Sequence, residues 1–359
     1  MKQKKKDTIF YVFTVISCLV AMIVVVIAAL LVYDKIKEKA AEKAQKEAQE
    51  ALAQTPPLIY TQDDVDLMVT KAVNDAREQA KVEGEGAILS TIQERLAQGS
   101  TVMETLRPLY PDKLVISSGG IYHFVPIQYD LKMHERKQEN LSVLESGELQ
   151  YKVDEEVVTQ KGIDVSKYQG DIDWKKVAED GVEYAFIRVG IRGYGEEGKI
   201  VLDDKFTKNV TGAKKAGIKI GVYFFGQAIT EEEAREEAAF VLKQIAPYDI
   251  DYPVVYDLER VSAENGRMNA LTPTQRTDVT IAFLEAIKEA GYQPMLYANT
   301  EMLGVLVEME RLEDYEKWFA YYGTEMYFPY DYAIWQYTDK GAVNGIKGDV
   351  DLNISFKGW

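Results

Sequence analysis

From Lys161 to the C-terminus short apolar runs alternate with helical stretches, a rhythm that few folds accept. The strand-like runs are GIDVS (162–166), YAFIRVG (184–190), IKIGVYFFG (218–226), YPVVYDLE (252–259) and PMLYAN (294–299). Each precedes a stretch with helical patterning, near residues 174–179, 205–216, 231–245, 273–290 and 301–309. Such alternation builds a parallel sheet with helices outside it. Three more strand-like runs, KWFAYY, YAIWQYT and GDVDLN, then follow without helices between them. Eight strands over this length predict a closed (β/α)-type barrel whose last crossovers are shortened. In such barrels, chemistry gathers at the C-terminal ends of the strands.

Acidic residues fall at those ends. Asp164 closes the first run, with Ile163 and Val165 on the opposite face. Asp257 and Glu259 close the fourth, and at i and i+2 they share one face with backbones about 6.6 Å apart. Val254, Val255 and Leu258 make their surroundings apolar, and desolvation with mutual repulsion raises at least one of the two pKa values. A protonated carboxyl beside an ionised one is what glycoside cleavage needs: the first protonates the leaving oxygen and the second supports the charge at the anomeric carbon. By itself a D-x-E is weak evidence, since a lone pair is more often structural or merely solvated. Here it has company, because Asp349 and Asp351 lie in KGDVDLN, where the last strand would close beside the first. The aromatic residues Tyr223, Tyr256, Tyr297, Trp335 and Tyr337 fall in the same runs, and all four tryptophans follow residue 161. Flat rings with a polar edge suit sugar faces, although any single one is more often core.

Other chemistries are excluded by what the sequence lacks. A net charge of -16 opposes attraction to nucleic acid, whose phosphates would be repelled. The only cysteine, Cys18, sits in an apolar run, and both histidines, His123 and His134, precede residue 161. The C-terminal region therefore holds no Ser-His-Asp triad, no thiol nucleophile and no H-E-x-x-H zinc site, and neither metal nor cofactor is expected.

Ahead of the barrel, residues 9–32 carry no charge, and these 24 residues, at about 1.5 Å each, exceed a hydrocarbon core. They predict a single transmembrane helix, with residues 1–33 as cytoplasmic tail and anchor. A signal peptide is disfavoured by length and by the absence of an A-x-A-like site. Lipidation of Cys18 is disfavoured by the apolar run that continues beyond it. Lys2, Lys4, Lys5 and Lys6 are nearly balanced by Lys35, Lys37, Lys39 and Lys43, so charge alone sets orientation weakly. Residues 34–57 predict a helical stalk ended by Pro56-Pro57. Within its 34–54 stretch, Ile36, Ala40, Ala44, Ala48 and Leu52 form a stripe open to weak self-association or to use as a plain spacer. Residues 58–160 predict a small α+β spacer domain: helical periodicity from Val65 to Leu96, then two strands around Gly119-Gly120 in LVISSGGIYHFVPI. No chemistry is evident there.

Residues 161–359 resemble glycoside hydrolase family 25, the lysozyme-type N-acetylmuramidases, through GIDVSKYQG, FIRVG, GIKIGVYFF, PVVYDLE and IWQYTDKGAVNGIKGDVDLN. The resemblance implies a modified TIM-type barrel, (β/α)5β3, that hydrolyses the β-1,4 bond between N-acetylmuramic acid and N-acetylglucosamine in peptidoglycan glycan strands. By position it implies Glu259 as proton donor and Asp257 as the carboxylate that supports the substrate's 2-acetamido group, with Asp164 and Asp351 as further acids of the cleft. Tyr223, Tyr256, Tyr297, Trp335, Gln336 and Arg188 are the expected substrate contacts. One departure is that Tyr223 is followed by Phe224 where many members carry histidine. A peptidoglycan substrate puts the catalytic domain on the extracytoplasmic side of the cell membrane. The alternative is a peptidoglycan-binding or envelope scaffold protein that no longer cuts.

Overall fold

The computed structural model describes residues 32–47, 62–263 and 265–359. The predicted membrane span, all but its last residue, lies outside the described residues, as do Cys18 and residues 48–57 of the predicted stalk. Among the described residues, no helix is long and apolar enough to cross a membrane. The chain divides into two compact units, Met1–Ala87 and Ile88–Trp359. In the first, residues 32–47 are helical and exposed, with Lys43 and Glu47 paired at 3.6 Å. The helix Gln62–Ala97 begins in the first unit and ends in the second.

The second unit opens with small antiparallel elements. β1 (Lys113–Ser118) and β2 (Ile121–Pro126) form the hairpin expected around Gly119-Gly120, both of which have positive φ. β3 (Leu141–Val143), β4 (Leu149–Val153) and β5 (Glu156–Val157) form a three-stranded sheet. These segments pack on the barrel. Gln128 N donates to Tyr330 Oη at 2.8 Å, and the Arg136 guanidinium lies between Tyr332 and Phe356, 4.2 Å from each ring centre. From Ile88 onward, the residues predicted as a spacer thus belong to the same compact unit as the barrel.

The barrel strands are β6 (Gln160–Val165), β7 (Tyr184–Arg192), β9 (Lys219–Phe225), β10 (Val254–Asp257), β11 (Pro294–Asn299), β12 (Glu316–Ala320), β13 (Ile334–Gly341) and β14 (Val350–Ser355). β8 (Ile200–Leu202) adds antiparallel to the end of β7. Neighbours run parallel from β6 through β7, β9, β10, β11 and β12 to β13. β14 is antiparallel to both β13 and β6 and closes the ring. This is an eight-stranded closed barrel of mixed α/β character. The helices predicted near 174–179, 205–216, 231–245 and 273–290 form outside it, as Trp174–Glu179, Phe206–Lys215, Glu231–Ile245 and Pro273–Glu289, and the last begins with a Thr272–Gln275 capping box and Pro273 at its first position. The stretch 301–309 does not form the predicted α-helix. It makes a π-helical turn, Met302–Leu306, and then a 3-10 turn, Met309–Leu312. The apolar side there is taken up by the β1–β2 hairpin, with Ile116 packed directly over Gly304.

Strand parity divides the core. Tyr184, Phe186, Val255, Met295, Trp318 and Ile334 fill the barrel interior. Phe224, Tyr256, Phe283 and Trp335 belong to the shell around it. Inside, Phe186 stacks on Trp318 at 4.5 Å and Tyr184 on Tyr252 at 4.7 Å, so an aromatic floor supports the polar mouth above. This floor needs a bare backbone at Gly162, because an added Cβ would meet the Tyr184 ring at 2.1 Å. Gly162→Ala is expected to cost roughly 1–3 kcal/mol through overpacking, read as a lower urea midpoint at unchanged slope. An unchanged midpoint would mean that the ring yields freely.

Candidate active site

Each carboxylate at the barrel mouth is positioned by strand pairing. Asp164, at the end of β6, sits opposite Asp351 at the start of β14. Because β14 runs antiparallel, its beginning meets the C-terminal ends of the parallel strands. Asp257 ends β10 between Phe225 of β9 and Tyr297 of β11. The extended backbone continues past it, with Leu258 N donating to Tyr297 O at 3.1 Å, and this carries Glu259 to the same rim.

These four acids line one cavity of about 340 Å³, together with Arg188, Tyr223, Tyr297 and Gln336. Gln336 Nε2 and Asn353 Nδ2 each donate to Asp164 Oδ2 at 2.9 Å. Both amides are themselves oriented. Tyr297 Oη donates to Gln336 Oε1, and Trp318 Nε1 donates to Asn353 Oδ1, each at 2.8 Å. Asp164 is therefore held rigidly as an acceptor. Asp257 is buried too, but its Oδ1 has no hydrogen-bond partner among the described residues. A buried, unpartnered carboxylate oxygen at a cavity wall is costly unless a ligand completes it. Arg188 pairs with Asp203 at 2.7 Å and lies 5.0 Å from the Tyr168 ring centre, so its charge is largely neutralised before any ligand arrives.

The electrostatics follow from crowding acids in a dry mouth. Burial pushes Asp164 up to about 6 despite its two amide donors. Burial, with Asp164 opposite, pushes Asp351 up to about 8. Asp257 is raised well above the usual carboxylate range by burial and then by Glu259 and Asp164. Glu259 is raised by burial, against the pull of the Tyr297 hydroxyl. The cluster thus retains protons at neutral pH and can both donate one and hold a negative charge. The sign of the stability effect is fixed: carboxyls raised above their unfolded values stabilise the fold below about pH 4 and lose that contribution as pH rises through 6 to 8. Asp351→Asn is expected to raise the melting temperature at pH 8 more than at pH 4. An equal rise at both would separate the effect from titration.

Two of the residues predicted as substrate contacts do not reach the cavity. Tyr256 faces outward from β10, is fully buried, packs tilted against Phe283 with ring centres 4.4 Å apart and donates to Glu237 Oε2 at 3.0 Å. Trp335 faces outward from β13, with Nε1 donating to Tyr321 O at 2.7 Å. Tyr337 shares that outward face, and Asp349 is exposed outside the cavity. In their place the cavity gains Trp318, Tyr168, Tyr194, Phe225 and Tyr322. Trp318 was findable by parity, since it shares the inward side of β12 with Ala320. Tyr168, Tyr194 and Tyr322 lie on connections beyond the strands, where periodicity gives no direction.

Comparisons with known proteins bear on this geometry. The family described as Glycosyl hydrolases family 25 matches residues 163–346, just over half of the chain. The autolytic lysozyme of Clostridium acetobutylicum is 28% identical over 194 residues, covering 54% of this chain and 55% of that protein. Lysozyme M1 of Streptomyces globisporus is 28% identical over 206 residues, covering 54% and 66%. Among solved structures, the modular autolysin LytC from Streptococcus pneumoniae, in complex with synthetic peptidoglycan ligand, superimposes with a TM-score of 0.51 at 25% identity. That match covers 60% of this chain and 52% of the pneumococcal one. The chain thus spans little more than half the length of two of these relatives.

Proposed function

The chain belongs to glycosyl hydrolases family 25, and from that membership we propose that it is a peptidoglycan muramidase cleaving the β-1,4 bond between N-acetylmuramic acid and N-acetylglucosamine. The observation that carries this reading is the convergence of Asp164, Asp257, Glu259 and Asp351, from three distant parts of the sequence, on one cavity with raised proton affinities.

In this mechanism Glu259, whose proton affinity burial raises, donates its proton to the glycosidic oxygen as the C–O bond breaks. The substrate's 2-acetamido oxygen attacks the anomeric carbon, and Asp257 stabilises the positive charge that develops on the acetamido group. Glu259, now a carboxylate, takes a proton from the water that opens the ring so formed. Asp257 Oδ1, without a hydrogen-bond partner among the described residues, is suited to the acetamido N–H. Asp164, fixed by Gln336 and Asn353, holds negative potential under the nascent oxocarbenium charge, while Asp351 beside it keeps its proton. Two displacements at one carbon give net retention, and NMR of a defined glycan fragment at first turnover tests this. Inverted product would exclude the acetamido route.

Residues 9–32 would anchor the chain in the cell membrane, with residues 34–57 as a stalk holding the barrel on the side where peptidoglycan lies. The test of activity is mass spectrometry of fragments released from purified sacculi. Reducing-end N-acetylmuramic acid supports the reading. Reducing-end N-acetylglucosamine alone, or no release, overturns it.

A further inference from the structure

The groove does not end at Glu259. A second cavity of about 480 Å³ opens beside it and shares Glu259, Tyr297 and Tyr322 with the first. A third of its lining residues lie outside the family match, in a segment to which the sequence assigned no chemistry. Met103 comes from the helical turn Val102–Leu106, Arg107 from the 3-10 turn that follows, and Ile116 and Ser117 from β1.

This wall is tied to the catalytic rim. Ser118 Oγ donates to Glu301 Oε1 at 2.6 Å, and Arg260, the residue after Glu259, donates to the same oxygen at 2.9 Å. The charge of Arg260 is thereby met by a carboxylate. That of Arg107 is not: among the described residues it forms no ion pair, and Glu104, one turn away, is engaged in its own cap with Thr101. Arg107 is held by aromatic groups instead. Its guanidinium lies 3.7 Å from the Tyr327 ring centre and 5.2 Å from that of Tyr321, and it donates to Tyr321 Oη at 2.5 Å. Its Nε is buried and has no hydrogen-bond partner among the described residues. A guanidinium fixed on its face, with donors still unmatched, is pre-organised for a planar anion.

We propose that this second cavity is a glycan subsite in which Arg107 receives a carboxylate carried by a muramyl residue of the strand. The inference rests on the peptidoglycan reading above. Muramic acid supplies such a group in one of two forms: the free lactyl carboxylate where the stem peptide is missing, or a carboxylate of the stem itself. Charge selects the position. The first cavity holds Asp164, Asp257 and Asp351 and a cation already paired with Asp203, whereas the second shares only Glu259 with that cluster and its Glu301 is already met by Arg260, so a carboxylate is repelled in the first and accepted beside Arg107.

The test measures binding of soluble glycan strands to the full chain carrying Glu259→Gln, with and without Arg107→Gln. The strands are stem-bearing, amidase-stripped with free lactyl carboxylates, or stripped and then amidated to neutrality. Arg107→Gln is expected to weaken binding roughly tenfold on the strand form whose carboxylate is recognised, and by less than about twofold on neutral strands. Loss on stripped strands assigns the lactyl group, and loss on stem-bearing strands alone assigns the stem. Arg107→Lys, which keeps the charge, is expected to recover part of the affinity, and this separates recognition from damage to the fold. Equal loss on all three strands, or loss on none, overturns the subsite. If the wild-type chain cuts no strand yet the charge-dependent loss persists, the muramidase reading fails and the subsite stands. If it cuts and the loss is absent, the subsite alone fails.

Discussion

Glu259→Gln is expected to lower the rate of glycan cleavage about a hundred- to ten-thousandfold while leaving the apparent KM nearly unchanged. Glutamine has the shape of the acid and fills the same rim, but it has no proton to give to the leaving oxygen. Neighbouring acids do not substitute. Asp164 is locked by two amides, and Asp257, whose Oδ1 has no hydrogen-bond partner among the described residues, is assigned to the acetamido group. The fold should tolerate the change, because it removes a carboxyl whose charged form burial already disfavours. Reducing-end release from sacculi, measured from pH 4 to 9, checks this. Wild-type activity should fall on the alkaline side as the raised carboxyls lose their protons, and the variant's residual activity should lack that limb. A loss below about tenfold would remove Glu259 from the role of proton donor.

The barrel was legible because its signal is local and repeated. Runs such as YAFIRVG and IKIGVYFFG carry their strand character in every residue, and the helices between them are bounded by caps such as Thr230 and Thr272. Asp164, Asp257 and Glu259 were legible for a related reason, since each falls where a run ends. Arrangement around the ring was harder. That Asp351 faces Asp164 depends on β14 inserting antiparallel between β13 and β6, and no local feature of GDVDLN dictates that pairing.

Strand parity explains the misplaced aromatics. If Asp257 faces the cavity, Tyr256 beside it must face the helices, and if Gln336 faces inward, Trp335 cannot. Chemical suitability for sugars pointed to both rings, and the period of two overrules it. The remainder was illegible for a different reason. Leu114, Val115 and Ile116 read as an ordinary strand, and nothing in them says that their apolar side will meet the turn at Gly304. Contacts between residues so far apart in sequence leave no local trace, so the wall carrying Arg107 emerges only from the three-dimensional arrangement.

The outward fate of Tyr256 exposes the device that holds one rim of the cavity in place, and breaking it should be the most damaging change to stability. Glu237, fully buried on the helix Glu231–Ile245, accepts from Arg192 Nε at 2.7 Å, from Gln227 N at 3.2 Å and from Tyr256 Oη at 3.0 Å. Arg192 in turn donates to Gly198 O at 2.8 Å and Glu233 O at 2.9 Å, so the loop bearing Tyr194 is fastened to the same helix. Burial pushes Glu237 up to about 7 even with Arg192 beside it, so desolvation outweighs the attraction between the partners. Removing one partner and removing both should therefore differ. Glu237→Leu leaves the buried guanidinium with only the exposed Glu236 carboxylate, at 3.2 Å, and is expected to cost about 3 kcal/mol, whereas Glu237→Leu with Arg192→Met replaces the pair by apolar volume and should recover most of that loss. Urea unfolding of both variants distinguishes the outcomes, and the double variant should also show weakened glycan binding, because Tyr194 loses its tether while the core is restored. A single variant within about 1 kcal/mol of wild type would mean that water reaches Arg192 and that the pair does not hold the rim.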